Sequence, residues 1–178
     1  ANAERPQDNP VKAIELCEKP VIGAINGVAI TGGFELALAC DVLIGSTSAR
    51  FADTHARVGI MPGWGLSQKL SRLIGLYRAK ELSLSGNFLD ARTAEAWGLL
   101  NRVVAPAELL TTARRLAADM ATIPVEMLSA YKKLIDEGFG ESFSSACALE
   151  HRRSSAHNRA VTPAAVEARR AALQARGR

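Results

Sequence analysis

The sequence contains few cysteines, few aromatic residues and no long hydrophobic segment. Its three cysteines are an odd number and form no C-x-x-C pair, which argues against a disulfide framework and a zinc site. No apolar run reaches the roughly 18 residues that a membrane-spanning helix needs. The polar start ANAERPQDNP lacks the apolar segment of a signal peptide. We therefore expect a cytoplasmic protein with no bound metal and no membrane partner.

Charge is distributed unevenly along the 178 residues. The formal net charge is +4, and from His151 onward a series of arginines is accompanied by one acidic residue, Glu167. Such a basic segment suits an anionic ligand, or it is a solvated helix face. Nucleic-acid binding is not expected, because aromatic residues make up only 5% of the chain and do not alternate with these arginines.

The hydrophobic pattern predicts strands that alternate with helices, followed by a helical region. Predicted strands cover residues 21–25, 42–46, 50–52 and 100–104. Predicted helices cover residues 11–18, 34–40, 65–74, 77–84, 91–97, 106–121, 124–137, 141–157 and 163–175. The fold class is therefore α/β with a helical C-terminal region. Three or four strands are few for a sheet that buries both faces, so we expect residues outside this sequence to complete the core.

The segment NGVAITGGFELALACD, residues 26–41, places two glycines and a carboxylate inside an apolar run. Gly32 and Gly33 let a ligand approach the backbone, and free amides at the start of the next helix can hold an oxyanion. Glu35 is then an acid or base aimed at that ligand. The alternative is a tight turn with a carboxylate that the helix dipole stabilises. The spacing fits neither a G-x-G-x-x-G dinucleotide motif nor a G-K-[ST] phosphate loop.

Residues 19–104 resemble the crotonase, or enoyl-CoA hydratase/isomerase, superfamily. The resemblance rests on several short motifs: K-P-V-I from Lys19, G-G-F-E-L-A from Gly32, C-D from Cys40, P-G from Pro62 and L-S-G from Leu84. It implies a spiral of ββα turns with a helical C-terminal region that packs subunits into trimers. The domains would then be the later part of the spiral core, residues 1–105, and the helical region, residues 106–178. The N-terminal part of that fold is expected to be absent from this sequence.

The resemblance also implies an acyl-CoA substrate and a homotrimer or hexamer. Members of the family hold the thioester oxygen with two backbone amides. Gly32 matches the second amide, and the first comes from an A-x-A-G-x-D segment that this sequence does not contain. No cofactor is expected, because coenzyme A is part of the substrate. Gly33, Ile30 and Trp64 are expected to contact the substrate, with core packing as the alternative for Trp64.

Two glutamates activate water in the hydratases of this family, and this sequence keeps one of them. Glu35 matches the first, whereas His55 stands at the position of the second, within FADTHARVGIMPG. Imidazole can act as acid or base near neutral pH, so Glu35 and His55 can still form an acid–base pair. The alternative is a pocket residue without a proton role. Asp53 is interpreted either as a further carboxylate on the same strand face as His55 or as a loop cap.

The C-terminal segment TPAAVEARRAALQARGR is similar to the basic terminal helix of the family. In relatives a basic side chain of this helix reaches the CoA phosphates of an adjacent subunit, and Arg169 and Arg170 are the nearest matches. The alternative is a solvated basic end of a helix.

Together these residues predict an enoyl-CoA hydratase, a lyase that adds water to a 2-enoyl-CoA. Gly32 would hold the thioester oxygen, and Glu35 and His55 would move the protons. Because His55 replaces a carboxylate, isomerisation or hydrolysis of a thioester, or CoA binding without catalysis, stays open.

Overall fold

A computed structural model describes residues 9–176 of the chain. Contacts between residues divide the chain into two compact units, Ala1–Ser129 and Ala130–Arg178. The boundary between these units lies inside a helix. The predicted domain boundary between residues 105 and 106 stays a prediction.

The strands and most of the helices belong to the first unit. The strands are β1 (Ile22–Ile25), β2 (Val28–Ile30), β3 (Val42–Ser46), β4 (Arg50–Ala52), β5 (Leu89–Asp90) and β6 (Arg102–Val104). The helices are α1 (Pro10–Glu15), α2 (Gly32–Ala39), α3 (Leu66–Ile74), α4 (Leu76–Ser85), α5 (Ala91–Ala96) and α6 (Leu109–Met120). Helix α7 (Val125–Phe139) crosses into the second unit, which also contains α8 (Phe143–Asn158) and α9 (Pro163–Arg176).

Within the described residues the strands form two three-stranded sheets, ordered β1-β3-β6 and β2-β4-β5. β3 pairs in parallel with both β1 and β6, and β2 pairs in parallel with β4, whereas β4 and β5 are antiparallel. The chain changes sheets twice over a short connection, at residues 26–27 and again at residues 47–49. Helix α2 follows β2 in the chain. The predicted α/β class is confirmed.

Several boundaries differ from those that the hydrophobic pattern predicts. The pattern misses β2 and β5, because strands of three and two residues are too short to show an alternation. Helix α1 ends at Glu15, and a short 3-10 helix, Pro106–Glu108, precedes α6.

Two phenylalanines pack the segments that carry the candidate site residues into the core. Phe34, on α2, and Phe51, on β4, are both fully buried. Their ring centroids lie 5.2 Å apart with the planes tilted by 44°, a separation typical of favourable aromatic pairs. Because Phe34 precedes Glu35 and Phe51 lies four residues before His55, this contact holds both candidate residues against one core.

Helix α6 packs against one face of the β1-β3-β6 sheet. Leu109 and Ala113 of the helix pack with Ile44 of β3, and Val104 of β6 lies against this cluster. The sheet is therefore buried on both faces where α6 lies, as parallel sheets usually are.

The second unit is helical throughout its described residues. Ser142 caps α8 by accepting a hydrogen bond from the Ser145 amide at 3.3 Å. Arg153 of α8 forms an ion pair with Glu137 of α7. Tyr131, Ile135 and Phe139 are exposed and follow one another at four-residue spacing on α7. They therefore form an apolar stripe along this helix.

Candidate active site

Glu35 is buried, and the structure shows what stabilises its carboxylate there. The side chain is only 3% exposed. Its Oε1 accepts hydrogen bonds from the backbone N–H of Trp64 at 2.8 Å and of Leu66 at 3.4 Å. These amides belong to the turn that leads into α3, about thirty residues along the chain. Backbone amides thus compensate part of the cost of burying the charge.

His55 faces the other oxygen of the same carboxylate. Its ring Nε2 lies 3.7 Å from Glu35 Oε2, and its side chain is as buried as that of Glu35. The distance is longer than a direct hydrogen bond. An oxygen atom placed about 2.8 Å from each of the two atoms would hydrogen-bond to both. The arrangement therefore suits one water molecule held between an acid and a base.

Asp53 lies on the far side of the His55 ring. Its Oδ1 is 2.7 Å from the ring Nδ1 and accepts the backbone N–H of His55 at 3.2 Å. The expectation that Asp53 and His55 share a strand face is wrong, because β4 ends at Ala52 and His55 begins the 3-10 helix Ala56–Val58. The alternative loop-cap role agrees with the structure, because Asp53 accepts the His55 backbone N–H. Asp53 also contacts the His55 ring.

The amides of Gly32 and Gly33 are free at the start of α2. Among the described residues no group accepts a hydrogen bond from either N–H, and the α2 backbone begins to bond internally at Phe34 and Glu35, which donate to Thr31 O. Thr31 has φ 50° and ψ −117°, a backbone conformation that residues other than glycine rarely adopt. This backbone conformation turns the chain into α2, and the predicted oxyanion role of the Gly32 amide stays a prediction.

Of the residues predicted to contact the substrate, Trp64 lies next to Gly32. A Cβ on Gly32 would lie 3.4 Å from the ring carbon Cζ3 of Trp64, which is half-buried. Next to Gly33 the space is open in the described part of the chain, with no atom of a distant residue within 4 Å of a Cβ. Ile30, at the end of β2, is exposed. Trp64 and Gly32 thus lie side by side, while substrate contacts of Gly33, Ile30 and Trp64 stay predictions.

Arg169 and Arg170 lie on α9, in the second unit, and both are exposed. Arg170 Nη1 is 3.2 Å from Glu167 Oε2, within one turn of the same helix. Their predicted role toward CoA phosphates stays a prediction.

The groups that hold Glu35 and His55 in place are not evident from the sequence. The amides of Trp64 and Leu66 belong to the backbone, so no side-chain motif marks them. The D-x-H spacing of Asp53 and His55 was the available signal, because a carboxylate two residues before a histidine can bond to its backbone and ring together. Within residues 9–176 no group of His, Cys, Asp and Glu side chains is arranged to hold a metal ion. None of the described helices is long and apolar enough to cross a membrane.

Comparison with known proteins matches residues 1–162 to the enoyl-CoA hydratase/isomerase family model. A protein of Arabidopsis thaliana named "Probable enoyl-CoA hydratase 1, peroxisomal" is 46% identical over 157 residues, covering 88% of this chain and 59% of that protein. A short-chain-enoyl-CoA hydratase of Clostridium acetobutylicum is 40% identical over 78% of this chain and 53% of that protein. The crystal structure of an enoyl-CoA hydratase from Bacillus anthracis superposes with a TM-score of 0.78 at 35% identity, covering 82% of this chain and 56% of that one.

The chain thus spans little more than half the length of these relatives. The family resemblance inferred from the motifs is confirmed by the family model and by the identities.

Proposed function

This chain belongs to the enoyl-CoA hydratase/isomerase family, and we propose that it adds water across the C2–C3 double bond of a 2-enoyl-CoA. The observation that supports the proposal is the placement of Glu35 Oε2 and His55 Nε2, buried and 3.7 Å apart. Two proton-transfer groups that face one small volume are what hydration requires. The relatives described above carry the hydratase name.

In the proposed reaction, a water molecule between the pair attacks C3 of the substrate. The Glu35 carboxylate removes one proton from the water as the C3–O bond forms. The electron pair of the double bond moves toward C2 and the thioester, so negative charge develops on the thioester oxygen. His55, protonated at Nε2, donates its proton to C2. A proton then passes from Glu35 to His55, which restores both groups and leaves one water added to the substrate.

The Gly32 amide stabilises the charge on the thioester oxygen in this scheme. It is one of the free N–H groups at the start of α2, and its direction is fixed by the Thr31 backbone. Removing one oxyanion donor typically lowers kcat by about 10²–10³-fold. The Trp64 ring beside Gly32 limits the room for the acyl chain next to the thioester.

Turnover of crotonyl-CoA by the full chain, compared with its Glu35→Gln variant, tests the proposal. The enoyl thioester absorbance should fall with time, and the product should gain the mass of one water. Glutamine keeps an oxygen that accepts the amides of Trp64 and Leu66 but cannot take up a proton. We therefore expect kcat to fall by about 10²–10⁴-fold with the fold intact. Equal turnover by the two proteins would contradict the proposed role of Glu35.

Another thioester reaction is the second candidate, because His55 stands where the family resemblance implies a carboxylate. The same pair can move a proton from C4 to C2 through the same stabilised oxyanion, which gives an isomerase. Incubation of a 3-enoyl-CoA separates the two functions. An isomerase yields a product of unchanged mass, whereas a hydratase leaves this substrate unaltered.

We also propose that the protein assembles as a homotrimer or hexamer. The exposed stripe Tyr131, Ile135 and Phe139 supports this, since contiguous exposed apolar side chains mark interaction surfaces. Light scattering coupled to size exclusion tests it, with Ile135→Lys as the variant expected to reduce the mass to that of a monomer. The absence of a cofactor, the cytoplasmic location and the lack of nucleic-acid binding stay predictions.

A further inference from the structure

We propose that Asp53 is a positioning residue that fixes the ring of His55 for proton transfer, an inference that rests on the proposed hydratase function. Asp53 is 3% exposed and sits opposite Glu35, on the other side of the His55 ring. It does not face the volume between Glu35 and His55. It acts through His55.

A single oxygen of Asp53 binds both the backbone and the side chain of His55. Oδ1 accepts the backbone N–H at 3.2 Å and lies 2.7 Å from the ring Nδ1. The ring is therefore tied to its own main chain through one acceptor. Both side-chain torsions of His55 are restricted in this way, and burial keeps competing water away from the bonds.

This contact also selects the nitrogen that transfers the proton. A carboxylate accepts hydrogen bonds, so Nδ1 is the nitrogen that carries a hydrogen toward Asp53. Nε2 is then the nitrogen that gains and loses a proton on the side of Glu35. Without Asp53 the neutral ring could place its hydrogen on either nitrogen. Part of the population would then present the wrong nitrogen to the water.

The charge of Asp53 has a second effect on the reaction. His55 is positively charged while it holds the proton that it delivers to C2. A carboxylate 2.7 Å from Nδ1 stabilises that imidazolium by a charge-assisted hydrogen bond. Asparagine at position 53 would keep the Oδ1 acceptor and lose the charge. The two effects can therefore be separated by substitution.

The segment around Asp53 is itself held firmly. Phe51 is fully buried in the core, and Thr54 shares a 2.6 Å hydrogen bond with Thr31. Asp53 thus lies between β4, which Phe51 packs into the core, and Thr54, which is bonded to the turn before α2. Supporting groups on such a rigid segment can hold a reacting side chain to within a fraction of an ångström.

The experiment combines steady-state kinetics with ¹⁵N NMR of the histidine rings in the full chain, its Asp53→Ala variant and its Asp53→Asn variant. The chain has three histidines, and His55→Gln assigns the His55 signals. Spectra are recorded over a pH series that extends well above neutrality, so that the tautomer of the neutral ring can be identified. Asp90→Ala, which removes a carboxylate from the N-terminus of α5, is the matched control.

We expect Nδ1 of His55 to carry a hydrogen in the wild type and in Asp53→Asn, and to lose it in a fraction of Asp53→Ala molecules. For Asp53→Ala, kcat should fall about 100-fold with KM changed less than about threefold. For Asp53→Asn, a loss of about tenfold is expected, since geometry remains and charge is lost. Asp90→Ala should change neither kcat nor the His55 signals.

A wild-type ring with its hydrogen on Nε2 would overturn the proposal, as would identical His55 signals in wild type and Asp53→Ala. A rise in KM at constant kcat would also overturn it. Should Asp53→Ala fail to fold by circular dichroism, Asp53→Asn decides: a kcat equal to that of the wild type would overturn the contribution of the charge. Absence of crotonyl-CoA turnover in the wild type would contradict the proposed function, and the NMR result would still decide whether Asp53 orients the ring.

Discussion

Thr31 and Thr54 are joined through their side-chain hydroxyls, whose oxygen atoms lie 2.6 Å apart. Thr31 precedes the free amide of Gly32, and Thr54 precedes His55. The bond therefore connects the turn before α2, where the proposed oxyanion donor lies, with the loop that carries His55, the proposed acid–base residue. Thr31 N–H also bonds to Ala52 O at 3.2 Å, so the two segments are linked by backbone as well as side chains.

Loss of the Thr54 hydroxyl is expected to weaken this connection. Thr54→Val keeps the shape of the side chain and removes the bond, which should lower the free energy of unfolding by about 1 kcal/mol. The kcat should fall as well, because His55 is displaced. Urea unfolding and crotonyl-CoA turnover measure the two effects. Thr54→Ser retains a hydroxyl and is the control; equal stability of the serine and valine variants would count against the connection.

Introducing the missing carboxylate at position 55 is expected to impair this protein. In His55→Glu the new carboxylate would lie between the carboxylates of Glu35 and Asp53, all of them buried. We expect kcat to fall by at least about tenfold and the free energy of unfolding by roughly 1–3 kcal/mol, since a buried charge loses its partner.

The double variant His55→Glu/Asp53→Asn checks the physical reason for that loss. Asparagine removes one of the repelling charges and can donate to the new glutamate, so part of the stability should return. The measurement is a double-mutant cycle of unfolding free energies. If the double variant loses as much unfolding free energy as the two single variants together, charge repulsion is not the cause.

Replacing the Trp64 ring is expected to change the preference for acyl chain length. Trp64→Ala empties the space beside Gly32, while the backbone N–H that bonds to Glu35 is retained. The ratio of kcat/KM for a longer enoyl-CoA to that for crotonyl-CoA should rise by about tenfold. The ratio for Trp64→Phe should lie between those of the wild type and Trp64→Ala. An unchanged ratio in Trp64→Ala would indicate that the ring serves packing alone.

The N-cap of α5 gives a prediction on pH-dependent stability. Asp90 accepts the Thr93 hydroxyl at 2.7 Å and the Thr93 amide at 3.0 Å, and these bonds lower the pKa of the Asp90 carboxyl below its ordinary value. A carboxyl with a lowered pKa in the folded state stabilises the fold above its unfolded-state pKa, and this contribution is lost as the pH falls through the folded-state pKa.

Asp90→Ala should therefore lower the free energy of unfolding by about 1 kcal/mol at pH 7. The difference from wild type should shrink as the pH falls below about 4, the ordinary aspartate pKa. Denaturant unfolding over a pH series measures it. Asp90→Asn also caps a helix but does not titrate, so wild type should lose stability relative to this variant on acidification. A difference between wild type and Asp90→Ala that stays constant with pH would exclude the contribution.

The sequence predicts the parts of the site that side chains define. Glu35 and His55 are singled out by their motifs, and the structure brings their side chains together. The contact between Glu35 and the amides of Trp64 and Leu66 could not be predicted, because it depends on how two backbone segments approach in three dimensions. The strained Thr31 backbone is likewise imposed by tertiary structure, since threonine has no local preference for it. Strands β2 and β5 are short, and pairing with β4 rather than their own pattern defines them.

Glu35 and His55, the proposed proton-transfer residues, differ in how far the groups that hold them tolerate amino-acid replacement. Glu35 is held by main-chain N–H groups, which every residue except proline supplies. Changes of side chain at positions 64 and 66 therefore leave its hydrogen-bond donors in place. His55 is held by one side chain, so a replacement at position 53 alters the site at once. The hydrogen bonds to Glu35 are therefore insensitive to the identity of the residues that supply them, whereas the proposed support of His55 depends on the side chain at position 53.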